Sequence, residues 1–365
     1  MRLSPNPGAL RGTYVEHKAL PAASMQAAQA AIATWPGYRP TPLRDLPGLA
    51  ATLGLASVAV KLEAERFEVG SFKALGPPLA LQHALVRQGG AAGWRAVAAT
   101  SGNHGRALAW GARRLGAACT IYMPVHTSAG REAAIRGLGA DVVRVQGDFD
   151  AALGAAAHAA LHDRTVLVAD LPWRGSDAIP RDILAGYSVL AAEISAQAPA
   201  PPTHVFVAAG NGSLAAATAA RLWHDFGPAR PRVIAIEPLA SDAIRRSLAA
   251  GASVTLTEGD GSVMDGLVVR AASALAWPLL CQAVDAGLAI NDDVAIATLR
   301  AAAHGAWGDQ ALEIGETGIA ALAGLVAACA DPATRIALGL GLDSRPVVIA
   351  CEGVTDRAVF DGLIA

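Results

Sequence analysis

The sequence predicts an α/β protein of two lobes, each a mostly parallel sheet flanked by helices, and three observations carry that reading. Between residues 96 and 169, short β-branched apolar runs alternate with longer stretches of helical spacing, as right-handed βαβ units on a parallel sheet require. The alternation restarts at His204-Val205-Phe206-Val207-Ala208-Ala209. Of the 365 residues, 53% are hydrophobic but only 5% aromatic, which suits small-residue α/β layers around a sizeable core. The expected division is a large domain of residues 1–95 and 190–365 and a small α/β domain of residues 96–189, with the active site in the cleft between them.

In chain order, residues 22–34 read as a short alanine-rich helix. Pro36 to Pro42 is an extended connector, because residues before proline avoid the helical region. Residues 43–53 are expected to be helical and 57–62 to be a strand. That strand feeds Arg66-Phe67-Glu68-Val69-Gly70-Ser71-Phe72-Lys73-Ala74-Leu75-Gly76, a turn that opens an apolar helical run. Strands 96–100, 119–123, 141–146 and 165–169 then alternate with helices 106–115, 129–138 and 149–162. After 204–209, the loop Gly210-Asn211-Gly212-Ser213-Leu214-Ala215 starts a helix running to His224, and strand 233–237 follows. Ser241 and Asn291 stand where helix N-caps belong, and 345–351 is the last strand. There is no internal repeat and no low-complexity linker.

Charge and cysteine usage exclude several functions. The formal net charge is −2 with no long run of one sign, so binding to nucleic acid or a membrane surface has no electrostatic support. Residues 1–20 carry prolines and scattered charges, unlike a signal peptide, and no uncharged apolar run reaches the roughly 18 residues that span a bilayer. Cys119, Cys281, Cys329 and Cys351 are far apart without a CxxC pair, which fits a reduced, cytoplasmic protein better than a disulfide framework. His158 and His162 share a helix face, but no third ligand accompanies them, so no metal site is expected.

Six segments carry candidate chemistry. Lys73 follows Gly70-Ser71-Phe72 at a strand-to-helix turn, where burial is expected to lower its pKa and free the amine for a Schiff base. An exposed helix-start lysine reaching into water fits that segment equally well. Gly210-Asn211-Gly212-Ser213-Leu214 lets the backbone approach an anion at a helix N-terminus. It also matches GxGxxA with Glu237 ending the next strand, so a nicotinamide dinucleotide is a rival ligand and a plain tight turn a third reading. Thr100-Ser101-Gly102-Asn103-His104-Gly105-Arg106 offers clustered donors, or merely a well-capped helix start. Asp170 closes a strand where ligands bind in open sheets, although loop-capping aspartates are commoner. Cys351 and, in reserve, Thr355 follow the last strand, and Gly315-Glu316-Thr317-Gly318 reads either as a ring-lining segment or as an acidic helix start.

Taken together, these segments resemble the fold type II pyridoxal-phosphate enzymes, the tryptophan synthase β-like fold, over roughly Trp35 to Asp356. Among them the chain looks most like diaminopropionate ammonia-lyase, through Tyr38-Arg39-Pro40-Thr41-Pro42-Leu43, Val168-Ala169-Asp170-Leu171-Pro172-Trp173-Arg174-Gly175, Gly186-Tyr187 and Ile236-Glu237-Pro238. The resemblance implies a homodimer acting on a small amino acid, with pyridoxal 5'-phosphate bound by the large domain. Lys73 would carry the cofactor beside Phe72, with Gly210, Asn211, Gly212, Ser213 and Leu214 on its phosphate. Asn103 would meet the phenolic oxygen and Cys351 the pyridine nitrogen. Thr100, Ser101, Gly102, Asn103 and His104 would hold the substrate carboxylate, and Asp265 is a further substrate contact.

The implied reaction is α,β-elimination from 2,3-diaminopropionate to pyruvate and ammonia, with Lys73, Asp170 and Ser101 as catalytic residues. Three departures point toward threonine or serine dehydratases: Ser101 where the ammonia-lyases carry an aspartate, Asp265-Gly266 in place of Ala-Gly, and Gly70-Ser71-Phe72-Lys73 itself. Dehydration of serine, threonine or 3-hydroxyaspartate is therefore the alternative, and a catalytically silent cofactor-binding paralogue a more remote one. In the resembling family an aspartate matching Asp170 serves L-substrates and one at the Ser101 position serves D-substrates, so a preference for L-isomers is expected.

Overall fold

The computed structural model describes residues 1–100, 102–257 and 261–365. They pack into two compact units. One comprises Met1–Ala22, Pro40–Glu65 and Leu190–Ala365, the other Ala23–Arg39 and Arg66–Val189. The strands of the described residues are β1 (Arg2–Pro5), β2 (Leu43–Asp45), β3 (Ala59–Leu62), β4 (Arg95–Ala99), β5 (Ala118–Pro124), β6 (Asp141–Val145), β7 (Thr165–Leu167), β8 (His204–Ala208), β9 (Arg232–Pro238), β10 (Ala286–Ile290) and β11 (Pro346–Ala350).

The first unit holds a sheet in the order β1-β10-β9-β8-β11-β3-β2, parallel at its centre and antiparallel only at the two edge strands. Every residue of β8, β10 and β11 is buried, which is why these strands read as continuous apolar runs rather than alternating ones. The helix Ala320–Ala330 packs on β8, β9, β10 and β11. It comes close because Gly324 has no side chain; a Cβ there would lie 2.6 Å from Ile236 Cδ1. Register pairs Val347 with Val205 and Phe206 with Ile234, so β11, β8 and β9 end side by side at Ala350, Ala208 and Pro238. The chain leaving β8 forms the glycine loop and the chain leaving β11 begins with Cys351, while Glu237 is the next-to-last residue of β9 itself.

The second unit is an all-parallel sheet, β6-β5-β4-β7. The helix Phe149–Ala159 covers β4 and β5, and Asn103–Leu115 packs beside them. Pro77–Arg87 lies against Asn103–Leu115, where a Cβ on Gly111 would stand 2.7 Å from Pro78 Cβ. No single helix of the described residues is long and apolar enough to cross a membrane.

Several expectations need correction. Residues 43–53 are not one helix: Leu43–Asp45 pairs antiparallel with β3, and the helix begins only at Pro47, whose fixed φ suits a first helical position. The helix expected from residue 106 starts at Asn103, which brings Asn103 and His104 into its first turn. The cap of Ala243–Ala250 is Asp242 rather than Ser241, whose hydroxyl instead exchanges hydrogen bonds with the backbone of Val269. Residues 66–95 pack with the smaller unit, not the larger, because Phe72–Leu75 and Pro77–Arg87 both rest on Asn103–Leu115. The strands β1 and β10 had no expected counterpart.

Candidate active site

In the smaller unit, Lys73 sits in the short 3-10 turn Phe72–Leu75, capped by Ser71, whose hydroxyl accepts the Lys73 N–H at 3.3 Å. Six residues upstream, Phe67 adopts a φ of +50°, a conformation costing a non-glycine residue about 1–3 kcal/mol. Its ring packs on Trp110 with centroids 4.6 Å apart, and Trp35 and Tyr38 lie at 6.1 and 6.4 Å. The Arg114 guanidinium covers Trp35 at 4.2 Å. Aromatic packing thus fixes the strained entry to the lysine turn.

The Lys73 Nζ donates to Asp170 Oδ2 at 3.2 Å. The rings of Phe72 and Tyr187 flank it, each with its centroid 5.3 Å away. Asp170 lies three residues beyond the end of β7, at the carboxyl edge of the sheet. His104 donates its Nε2–H to the Val168 carbonyl at 2.8 Å, which leaves Nδ1 facing Asp170 Oδ1 at 3.6 Å. Lysine, aspartate, histidine and tyrosine are therefore gathered around one point from four separate elements.

Electrostatics overturn one expectation. Desolvation pulls the Lys73 pKa down, but Asp170 and Tyr187 beside it outweigh that and hold the ammonium above the ordinary lysine range. Without a bound partner Lys73 is thus a charged, paired amine rather than a neutral one. His104 is held below its usual value by desolvation first, with the charge of Lys73 adding to it, and it stays neutral near pH 7.

Of the predicted anchoring loop, Thr100 Oγ1 accepts the Gly102 N–H at 3.1 Å, and Gly102 caps the helix that follows. Asn103 Oδ1 accepts from Arg106 Nη1 at 3.2 Å. Ser101, expected here as a catalytic and substrate residue, lies outside the described residues.

The larger unit holds the other predicted residues. Gly210, Asn211 and Gly212 link β8 to the helix Ser213–Phe226, with Asn211 Oδ1 accepting the Ser213 N–H at 3.0 Å. Gly212 has a φ of +84°, and a Cβ there would lie 2.6 Å from Leu280 Cδ1. One strand over, Cys351 is buried directly after β11. The segment Gly315-Glu316-Thr317-Gly318 is neither a plain helix start nor a loose loop. It folds over the chain after Cys351, where Cβ atoms on Gly315 and Gly318 would clash with the carbonyls of Gly353 and Glu352, and Thr317 N–H donates to Glu352 Oε1 at 3.1 Å. Asp265, itself exposed, opens the turn Asp265–Leu267. His158 and His162 face each other edge-on at 6.1 Å.

Glu237 removes the dinucleotide reading. Its buried carboxyl accepts the N–H groups of Ile244 at 2.8 Å and Arg245 at 2.7 Å, and burial pushes its pKa up to about 8. It is a buried cap for the next helix and is not presented to a ribose. The residues present do fit pyridoxal phosphate. A glycine loop at a helix N-terminus suits a phosphate, a buried thiol follows a neighbouring strand, and a part-buried lysine stands beside an acid.

The chain belongs to the pyridoxal-phosphate-dependent enzymes, whose family model matches residues 34–349. Within that family it is 31% identical over 341 residues to diaminopropionate ammonia-lyase of Escherichia coli K12, spanning 88% of this chain and 86% of that one. The crystal structure of the Escherichia coli enzyme with an aminoacrylate-PLP azomethine reaction intermediate superposes with a TM-score of 0.89 at 28% identity, covering 100% of this chain and 96% of that one. The threonine dehydratase of Haemophilus influenzae matches a shorter stretch, 29% over 262 residues, or 71% of this chain and 48% of that one.

Two features escaped the sequence reading. Lysine occurs only three times, as Lys18, Lys61 and Lys73, and Lys61 is buried against Glu193 at 2.6 Å. That scarcity alone narrows the choice of reactive amine. Tyr187 was noticed only as part of a resembling segment; a lone tyrosine among small and aliphatic residues was the available signal.

Proposed function

We propose that this chain catalyses a pyridoxal-phosphate-dependent α,β-elimination, releasing pyruvate and ammonia from 2,3-diaminopropionate. The Lys73–Asp170 pair carries the reading, because it places a proton acceptor and the reactive amine within 3.2 Å of each other. When bound, the cofactor supplies an aldehyde for the lysine amine and a ring that takes up negative charge developed at Cα. Lys73 holds it, Gly210 to Leu214 bind its phosphate through backbone donors, and the amide of Asn103 meets its phenolic oxygen. Cys351 offers the pyridine nitrogen a neutral partner.

Asp170 takes the Cα proton of an L-substrate and returns a proton to the departing β-amine, which leaves poorly unless protonated. The His104 ring is itself held by the Val168 carbonyl and lies 3.6 Å from the second oxygen of Asp170. Ser101 lacks the acidity to serve D-substrates in the same way, since a hydroxyl does not ionise near neutral pH. Dehydration of serine, threonine or 3-hydroxyaspartate is the second reading, favoured by Ser101 and by Asp265-Gly266. The working form is a cytoplasmic homodimer, and Lys73 acts within each chain.

A panel of L- and D-2,3-diaminopropionate, serine, threonine and 3-hydroxyaspartate, scored by 2-oxo acid release, ranks the substrates. Borohydride then fixes the cofactor to one of only three lysines. Labelling at Lys18 or Lys61 sinks the assignment. A protein that takes up the cofactor and turns over nothing is the silent paralogue.

A further inference from the structure

We propose that Tyr187 is a positioning residue for this reaction, its phenol holding the Lys73 amine whenever the substrate has taken the place of that amine. The inference rests on the lyase reading above and adds a residue to which no role had been given. Tyr187 lies on the helix Ala178–Gln197 and is fully buried, with its ring 4.8 Å from that of Phe72 and 5.3 Å from Lys73 Nζ. Its hydroxyl is close enough to favour the charged form of Lys73, yet no hydrogen bond of ordinary geometry reaches it among the described residues.

A buried phenol left in that state costs about 1–3 kcal/mol. Two glycines make room for it all the same. A Cβ on Gly76 would lie 2.5 Å from Tyr187 Cε1, and one on Gly186 would lie 2.2 Å from the Leu75 carbonyl oxygen. The fold has thus cleared space for a tyrosine whose oxygen stands by the Lys73 ammonium but whose O–H finds no acceptor of ordinary geometry among the described residues. A protonated Lys73 is a donor only and already donates to Asp170, so the phenol O–H has nothing to give it. A neutral amine differs, because its lone pair accepts a hydrogen bond. Burial, the largest influence, pushes the Tyr187 pKa well above the ordinary range, so the phenol keeps its proton and acts only as a neutral donor. When Asp170 turns to the substrate, the Tyr187 phenol stands beside the lysine as a donor that can steady a free amine.

The groups facing Lys73 are Asp170 after β7, His104 on Asn103–Leu115 and Tyr187; on Pro77–Arg87, His83 and Arg87 are engaged by Asp182 instead. Tyr187→Phe keeps the ring and deletes only the hydroxyl, and Tyr187→Leu reports on packing. In cofactor-free protein, the ε-carbon signals of the three lysines are followed by NMR against pH. Tyr187→Phe is expected to lower the Lys73 midpoint, because the phenol oxygen beside the ammonium favours its charged form, and to leave Lys18 unmoved. In the holoenzyme, kcat falls about tenfold with KM within threefold, and cofactor affinity is retained. An unchanged Lys73 midpoint together with unchanged kcat overturns the proposal. So does a Phe variant that loses thermal stability as the Leu variant does, since that assigns Tyr187 to packing alone. If the unmodified protein turns over no substrate, the lyase reading fails, and the titration still decides whether the phenol engages Lys73.

Discussion

Replacing Asp170 by asparagine removes the charge nearest Lys73 while keeping its shape. At 3.2 Å and an effective dielectric of 20, Coulomb's law gives about 5 kcal/mol for the pair. Both side chains are about one-fifth exposed, at 20% and 19%, so solvent takes up part of that. Roughly half surviving leaves about 2–3 kcal/mol, or about 10²-fold in the fraction of free amine. The sign follows from the raised Lys73 pKa: below that value each pH unit gained frees about ten times more amine, and losing Asp170 moves the whole curve toward lower pH. Cofactor uptake by the cofactor-free variant, followed by visible absorbance in a stopped-flow instrument at pH 8, is expected to run faster than in the unmodified protein. Turnover of L-2,3-diaminopropionate by the loaded variant is expected to fall by about 10²–10⁴-fold, as for a lost general base. Uptake that is unchanged or slower refutes the electrostatic argument. Retained turnover refutes the catalytic one.

Ser101→Asp is expected to gain turnover of D-2,3-diaminopropionate, measured as pyruvate from the D-isomer, while the unmodified chain favours the L-isomer by about 10²–10⁴-fold; equal rates on both isomers in the unmodified chain count against it. Gly212→Ala places a Cβ 2.6 Å from Leu280 on a φ of +84°, so urea unfolding is expected to show a loss of about 1–3 kcal/mol and equilibrium dialysis a weaker hold on the cofactor. With the Glu237 carboxyl pushed up to about 8, the folded chain keeps a proton that the unfolded chain releases near pH 4.3. Thermal stability is therefore expected to fall as pH rises from about 5 to about 8, and the slope to flatten in Glu237→Gln; coincident slopes reject the buried-carboxyl account.

Much of this was legible in the chain because its signals are local. The runs at β8 and β11 are buried on both faces, so apolar β-branched residues identify them without knowledge of their neighbours. The glycine loop was readable because only a glycine at 212 tolerates its backbone and its nearness to Leu280. Leu43–Asp45 was missed because it is an edge strand of three residues whose pairing with β3 is a tertiary fact, invisible in its own spacing. The charge state of Lys73 was misjudged for a related reason. Burial is readable from a sequence, but the acid that reverses its effect stands 97 residues away. Glu237 misled because a strand-end acid looks the same whether it meets a ribose or caps the next helix.

The two recesses around Tyr187 have a consequence for sequence variation. Gly186 faces a backbone carbonyl that cannot move aside, whereas Gly76 faces side chains, the edge of the Tyr187 ring first and Ile183 Cγ2 at 3.0 Å. Position 186 should therefore be fixed as glycine in any chain that keeps this turn, whatever stands at 187. Position 76 should be conditional, glycine where 187 is aromatic and free to become alanine where 187 is smaller. Related chains that trade the tyrosine for an aliphatic residue should thus carry a matched change 111 positions upstream, and a phenol-less branch of the family could be recognised from that pair alone.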